Sequence, residues 1–299
     1  MKIGAIITAP PYADFLDEAV RHPLVTGLRL NTVMPLKHGP TEAIERLSGW
    51  DKPLWVDLKG RQLRVAEAAI PPYTEIRLSH RIKVETPVDA YFNDGREHAR
   101  VAAVDGDRLI LAEGPQRLIG PGESVNILHP SLEIKGYLTE TDTAYLQAMK
   151  AAGLNKVMLS YVEGPEDIAA VSRILPDAEM ILKIETRKGL DFARQHGAKF
   201  GQLMAARGDL YVEVIQPHRI IGALRTIIAA DPNAAVASRI FDSLGFHPVP
   251  ASADIGDVAF LLSLGYRTFM LGDIVSLRRD PLVEALNLLA AVVEEFDAS

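Results

Sequence analysis

The chain has 299 residues, 48% of them hydrophobic and 24% charged, with a formal net charge of −7 and a pI near 5.7. That balance excludes disordered and fibrous classes, and an acidic chain without a general basic footprint is not built for nucleic acid. With no cysteine there is no disulfide, thiolate metal ligand or cysteine nucleophile, so any metal site must be made of oxygen or imidazole.

No apolar run approaches the roughly 18 residues of a membrane span. The opening stretch "MKIGAIITAPPYADF" has a short apolar run that ends in Pro-Pro, unlike a signal peptide. A cytoplasmic protein without a membrane partner is expected. The length suits one barrel of roughly 200 to 250 residues with an extra element.

In chain order, short runs rich in apolar and β-branched residues occur at 2–8, 26–31, 53–59, 156–161, 180–185, 201–206, 234–240 and 268–273, eight in all. Helix-period segments separate most of them. One is "TETDTAYLQAMKAAG", with Thr139 or Thr141 placed to cap its start and Gly153 just past its end. Eight strands each followed by a helix predict the α/β class and a (β/α)8 TIM barrel. The exception follows strand three. Residues 61–131 show no clear helix but several strand-like runs, with "VDGD" at 104–107 as a hairpin turn. The expected organisation is therefore a barrel of 1–60 and 132–299 with a small β-rich lid inserted at 61–131. The charged run "TRKGLDFARQHGAK" reads as a solvated helix face.

A barrel of this kind carries its active site at the carboxyl ends of its strands, so polar residues there carry the most information. Arg29 and Asn31 end strand two. Asp57 and Lys59 end strand three, with Arg64 just beyond. Lys183 and Glu185 end strand five, Arg207, Gly208 and Asp209 follow strand six, and Ser238 and Arg239 end strand seven. Taken singly, Arg29 or Arg239 is as readily a salt-bridge partner as a functional group. Lys183 is different, because an ammonium inside an apolar strand is costly unless paired or used. It shares a strand face with Glu185, two residues on. Glu185 and Asp209, on adjacent strands, suit Mg2+ or Mn2+; the competing reading is a charge network with Lys183 and Arg207. Backbone N–H groups at Gly208 offer an anion contact. The eight histidines are scattered without metal-ligand spacing. The metal reading gives an oxyanion site with Lys183 as a fixed charge and Arg29 and Arg64 as forks for phosphate, suited to enolate or phosphoryl chemistry.

The segments "RLN" (29–31), "DLKGRQLR" (57–64), "NDGREHARVAAVDGDRL" (93–109), "LKIET" (182–186), "MAARGDLYVEV" (204–214), "VASRIFDS" (236–243), "PVPASADIGDVA" (248–259) and "DPLVEAL" (280–286) together resemble the pyruvate kinase family. The resemblance implies that Lys183 stabilises the transferring phosphoryl group and the enolate, and that Glu185 and Asp209 bind the divalent metal. Arg29 is similar to the family's arginine on the phosphate of phosphoenolpyruvate. Asn31, Asp57 and Arg64 match groups around the nucleotide phosphates and a monovalent cation. The backbone at Gly208 and Asp209 would take the substrate carboxylate beside Arg207 and Arg239, and Ser238 stands where the family has a threonine for carboxylate binding and proton delivery.

Several departures accompany the likeness. The chain stops after the last barrel helix, which implies that the family's C-terminal effector domain is lacking, and the lid is short. Gln62 replaces the acidic residue of the family's "KGPE", and the serine expected after "RLN" is missing. Little dependence on K+ is therefore expected, with Lys37 in the altered loop as a substitute charge. Arg239 replaces a glutamine, and "MLGDIVS" stands for "MLSGETA". Three functions remain at this level. The first is phosphoryl transfer between phosphoenolpyruvate and a nucleotide (ADP/ATP) or another acceptor. The second is a Mg2+-dependent pyruvate-enolate lyase or aldolase, and the third is a non-catalytic phosphoenolpyruvate-binding protein. A homo-oligomer is compatible with each.

Overall fold

The computed structural model describes residues 2–34, 36, 38–72, 74–92 and 95–298. Lys37, Asn93 and Asp94, which entered the sequence argument, lie outside the described residues. The chain begins with β1 (Gly4–Thr8), β2 (Val25–Asn31) and β3 (Leu54–Leu58). The segment between β3 and the next barrel strand supplies β4 (Glu75–Arg77), β5 (Ile82–Lys83), β6 (Val88–Phe92), β7 (Glu97–Asp105), β8 (Arg108–Glu113), β9 (Val125–Ile127) and β10 (Glu133–Ile134). The barrel resumes with β11 (Lys156–Leu159), β12 (Glu179–Ile184), β13 (Gln202–Ala206), β14 (Ala235–Ala237) and β15 (Thr268–Leu271).

The barrel strands close in the order β1-β15-β14-β13-β12-β11-β3-β2, with parallel pairing at every step. This is the (β/α)8 architecture, and all eight strands fall where the apolar runs placed them. The reason is physical: a parallel strand covered by helices outside and side chains inside reads as a continuous apolar run. Along β12 the faces separate as expected. Leu182 and Ile184 join the core beneath the helices, Ile181 joins a small interior cluster with Ile6, Met158, Met204 and Met270, and Lys183 follows Ile181 on the interior face.

The inserted strands form an antiparallel sheet in the order β4-β8-β7-β6-β9, around its own core that includes Phe92, Val101 and Ile119. The "VDGD" turn joins β7 to β8, with Asp105 opposite Arg108 and Gly106 at φ +66°. Beside this sheet, β10 pairs back onto β5. The chain leaves the barrel at Gly60, whose φ is +52° and where a Cβ would meet the Tyr137 ring at 2.7 Å and the Ser160 carbonyl at 2.8 Å. Only glycine fits there.

The exit is anchored by the helix Glu140–Ala151. Thr139 caps that helix, and Asp142, fully buried, accepts from the backbone of Thr139, Lys59 and Gly60. The helix Arg187–His196 carries the basic run on its open face while Leu190, Phe192 and Ala193 are buried. Among the described residues, no helix is long and apolar enough to cross a membrane.

Candidate active site

Asp57, the last-but-one residue of β3, is completely removed from solvent. Its Oδ2 accepts from Arg29 Nε at 2.7 Å and Nη2 at 2.5 Å and from Lys59 Nζ at 3.2 Å. Its Oδ1 faces Lys183 Nζ at 3.3 Å and accepts from Ser160 Oγ at 3.2 Å. Burial works against the charge of this carboxylate, but Lys183, Lys59 and Arg29 outweigh it and hold Asp57 well below the usual carboxylate range.

Lys183 is 5% exposed; its Nζ also donates to Ser160 Oγ at 2.8 Å and lies 3.3 Å from Glu185 Oε1. Burial opposes its ammonium too, yet Asp57 and Glu185 raise its pKa above the ordinary value. Lys59 moves the other way. Burial, with the nearby charges of Lys183, Arg29 and Arg64, lowers its pKa against the pull of Asp57.

Glu185 lies just past β12, and its Oε2 accepts from the backbone N–H of Tyr161 at 2.8 Å. That N–H points inward because Tyr161 is held at φ 54°, a conformation that costs a non-glycine residue on the order of 1 kcal/mol or more. Asp209, after β13, accepts from Gln62 Nε2 at 2.7 Å and Asn126 Nδ2 at 3.1 Å, so β9 of the inserted sheet reaches it directly. Burial and the negative charges of Asp209 and Asp57 raise the pKa of Glu185 against Lys183. At Glu185, burial and the neighbouring carboxylates together outweigh the one ammonium beside it. Glu185 and Asp209 each keep lone pairs free, and their hard oxygens fit a divalent cation such as Mg2+ or Mn2+ completed by water and substrate. No group of three or more His, Asp or Glu side chains that could hold a metal occurs among the described residues.

The opposite wall is the corner after β14. Ser238, Arg239 and Phe241 all have positive φ (67°, 58° and 55°). Arg207 braces this corner: its Nε and Nη2 donate to the Ser238 carbonyl at 3.0 and 2.7 Å, Nη2 to the Arg239 carbonyl at 3.0 Å, and Nη1 to Asp257 at 2.7 Å. The Arg207 guanidinium is thereby committed to the fold. Arg239 lies over the Tyr211 ring, 4.3 Å from its centroid. Arg64 donates to Gln62 Oε1 and to the Gly122 carbonyl, so Gln62 bridges Arg64 and Asp209.

A cavity of about 310 Å³ joins these groups, lined among others by Arg29, Lys183, Glu185, Asp209, Ser238 and Arg239. Asn31, Arg64 and Gly208 also line it, while Arg207 and Asp57 stand behind its wall. Sequence reasoning did not single out Thr8, Asn126, Ser160, Tyr161 or Asp273. Thr8 accepts from Arg29 Nη1 at 2.9 Å. Asp273 Oδ1 and Oδ2 accept from Arg29 Nη1 and Asn31 Nδ2, both at 2.8 Å. Of these, Asp273 had a signal, since it follows β15 at the carboxyl end where site residues gather. Asn126, in the inserted sheet, had none.

A family model described as the pyruvate kinase barrel domain matches residues 59–274. The pyruvate kinase of Methanocaldococcus jannaschii is 27% identical over 98% of this chain and 70% of its own length. One from Agrobacterium vitis is 31% identical over 74% of this chain and 47% of its own length, and that of Borreliella burgdorferi is 22% identical over 91% and 63%. Against the latter two, the chain spans less than two thirds of the relative.

Proposed function

The chain belongs to the pyruvate kinase family, and we propose that it is a phosphotransferase acting between phosphoenolpyruvate and a nucleotide or another phosphate acceptor. The observation that carries this reading is Lys183, an ammonium buried at the floor of the cavity between Asp57 and Glu185 with Ser160 as a further partner. A cation fixed in this way costs no reorganisation when negative charge grows on an enolate or a phosphoryl group.

Glu185 and Asp209 would hold the divalent metal. When bound, that ion supplies neutralising charge to the substrate oxygens. The chain's own groups do the rest. Gly208 and Asp209 present backbone N–H groups to the substrate carboxylate, with Arg239 at the same wall. Ser238 offers a hydroxyl for carboxylate binding and proton delivery, positioned through the brace of Arg207. Arg29, Asn31 and Arg64 face the phosphate side, and Asp57 keeps Arg29 and Lys183 charged and in place. The inserted segment 61–131 serves as the lid, because Gln62 and Asn126 contact Asp209 from it.

The test is NMR of the purified protein with phosphoenolpyruvate, ADP and Mg2+, following phosphorus and the methyl protons of pyruvate together. Phosphoryl transfer to ADP with pyruvate released is the expected result. Pyruvate methyl signal with the phosphorus released as inorganic phosphate would make water the acceptor in place of the nucleotide, and no turnover of either kind would overturn the nucleotide-kinase reading.

A further inference from the structure

Arg29 is held by two carboxylates that differ in their freedom to leave. Four of its five N–H donors are engaged: Nε and one on Nη2 with Asp57, and both on Nη1 with Thr8 and Asp273. Asp57 has no solvent exposure and also holds Lys59 and Lys183, so its departure would strip one counter-ion from each of three buried cations. The Asp273 side chain is 40% exposed, stands at the start of the short turn after β15, and gives up only its contacts to Arg29 and Asn31 when it swings into water.

The geometry of the second carboxylate is informative. Its two oxygens each take one donor at 2.8 Å, a guanidinium N–H on one side and an amide N–H on the other. Two oxygens of a phosphoryl group would span the same pair. Burial works against the charge of Asp273, but Arg29 and Lys59 outweigh it, so the group stays an anion at neutral pH.

We propose that Asp273 is a specificity-determining residue whose carboxylate fills the phosphoryl-oxygen positions on Arg29 and Asn31. An unphosphorylated 2-oxo acid then enters the cavity without disturbing it, whereas a phosphorylated ligand must first displace it. This rests on the reading that Arg29 and Asn31 face the phosphate side. It deepens that reading, because it makes the cost of phosphate binding a property of one half-buried side chain just past the last barrel strand.

The direct probe is inorganic phosphate without metal, titrated into wild type, Asp273→Ala and Asp273→Asn and followed by phosphorus NMR. Phosphate affinity is expected to rise at least tenfold in Asp273→Ala and by a smaller factor in Asp273→Asn, whose amide oxygen still accepts from Arg29. Phosphoenolpyruvate with Mn2+ should follow the same order, while oxalate with Mn2+, a planar dicarboxylate without a phosphoryl group, should bind all three proteins within about twofold. Phosphate affinity unchanged or weakened in both variants overturns the proposal, whichever way oxalate behaves. Oxalate failing to bind wild type would instead count against the enolpyruvate site, and the phosphate titration would still decide the role of Asp273.

Discussion

Lys183 Nζ lies 3.3 Å from Asp57 Oδ1, and neither side chain reaches solvent to any useful extent. The pair joins β12 to β3 across the barrel interior, with Ser160, just past the intervening β11, contacting both. Asp57 and Glu185 raise the pKa of Lys183 against burial. In the proposed reaction such a charge matters most where negative charge increases, that is, in the transition state.

Lys183→Met is therefore expected to lower single-turnover rates by at least about a hundredfold, the scale of losing a preorganised charge at a reacting oxygen. Equilibrium binding of phosphoenolpyruvate or pyruvate should change far less. Both quantities are measured on the same preparation, with circular dichroism to confirm folding. If binding disappeared while the residual rate per bound complex stayed intact, the lysine would be a binding or structural residue.

The metal assignment rests on two carboxylates, Glu185 and Asp209, with Lys183 as the cation beside Glu185. Glu185→Gln and Asp209→Asn each remove one negative ligand with little change in shape, and each should weaken Mn2+ binding by at least about tenfold. The free-Mn2+ electron paramagnetic resonance signal reads this without any turnover. Equal Mn2+ affinity in wild type and both variants would return Glu185 and Asp209 to a purely internal charge network.

The barrel was legible because its strands are apolar on both faces, and the presence of a β-rich insertion because the segment after strand three lacks a helical period. Lys183 and Glu185 announced themselves as charges interrupting such a strand. Other contributions depend on contacts that no local pattern encodes. Asn126 reaches Asp209 only because the inserted sheet folds over the barrel mouth, and Ser160 reaches Lys183 only through strand order. Arg207 sits in a motif that reads as substrate contact, yet its guanidinium is spent on two carbonyls of a strained corner. Side-chain direction beyond a strand end, unlike strand position, is decided by tertiary partners.

Monovalent cations should have little effect. Gln62 takes the position of the family's acidic residue, and its amide oxygen accepts two N–H groups from Arg64 at 3.1 and 2.5 Å while its nitrogen donates to Asp209. A neutral amide so occupied offers K+ neither charge nor a free oxygen. Rates in K+ and in a tetramethylammonium salt of equal ionic strength should agree within about threefold, since K+ has no hard anionic oxygen to bind at Gln62. Strong K+ activation would show that another oxygen set serves instead.

Glu213 gives a pH signature that does not depend on turnover. Burial first, then the negative charges of Asp209 and Glu163, push its pKa up to about 8 against Arg187 and Asn126. An unfolded glutamate titrates near 4.3. Below that value both states are protonated and Glu213 costs nothing. Between the two values the folded state binds more protons than the unfolded state, so the contribution of Glu213 to stability falls as pH rises, by at most about 1.4 kcal/mol per unit, and levels off above about 8. Glu213→Gln removes this dependence while keeping shape and hydrogen-bonding capacity. The variant should accordingly gain on wild type as pH rises from 5 to 8 in urea titrations, with the largest gain at pH 8. Parallel stability curves for the two proteins over that range would mean that Glu213 ionises at its ordinary value in the folded protein.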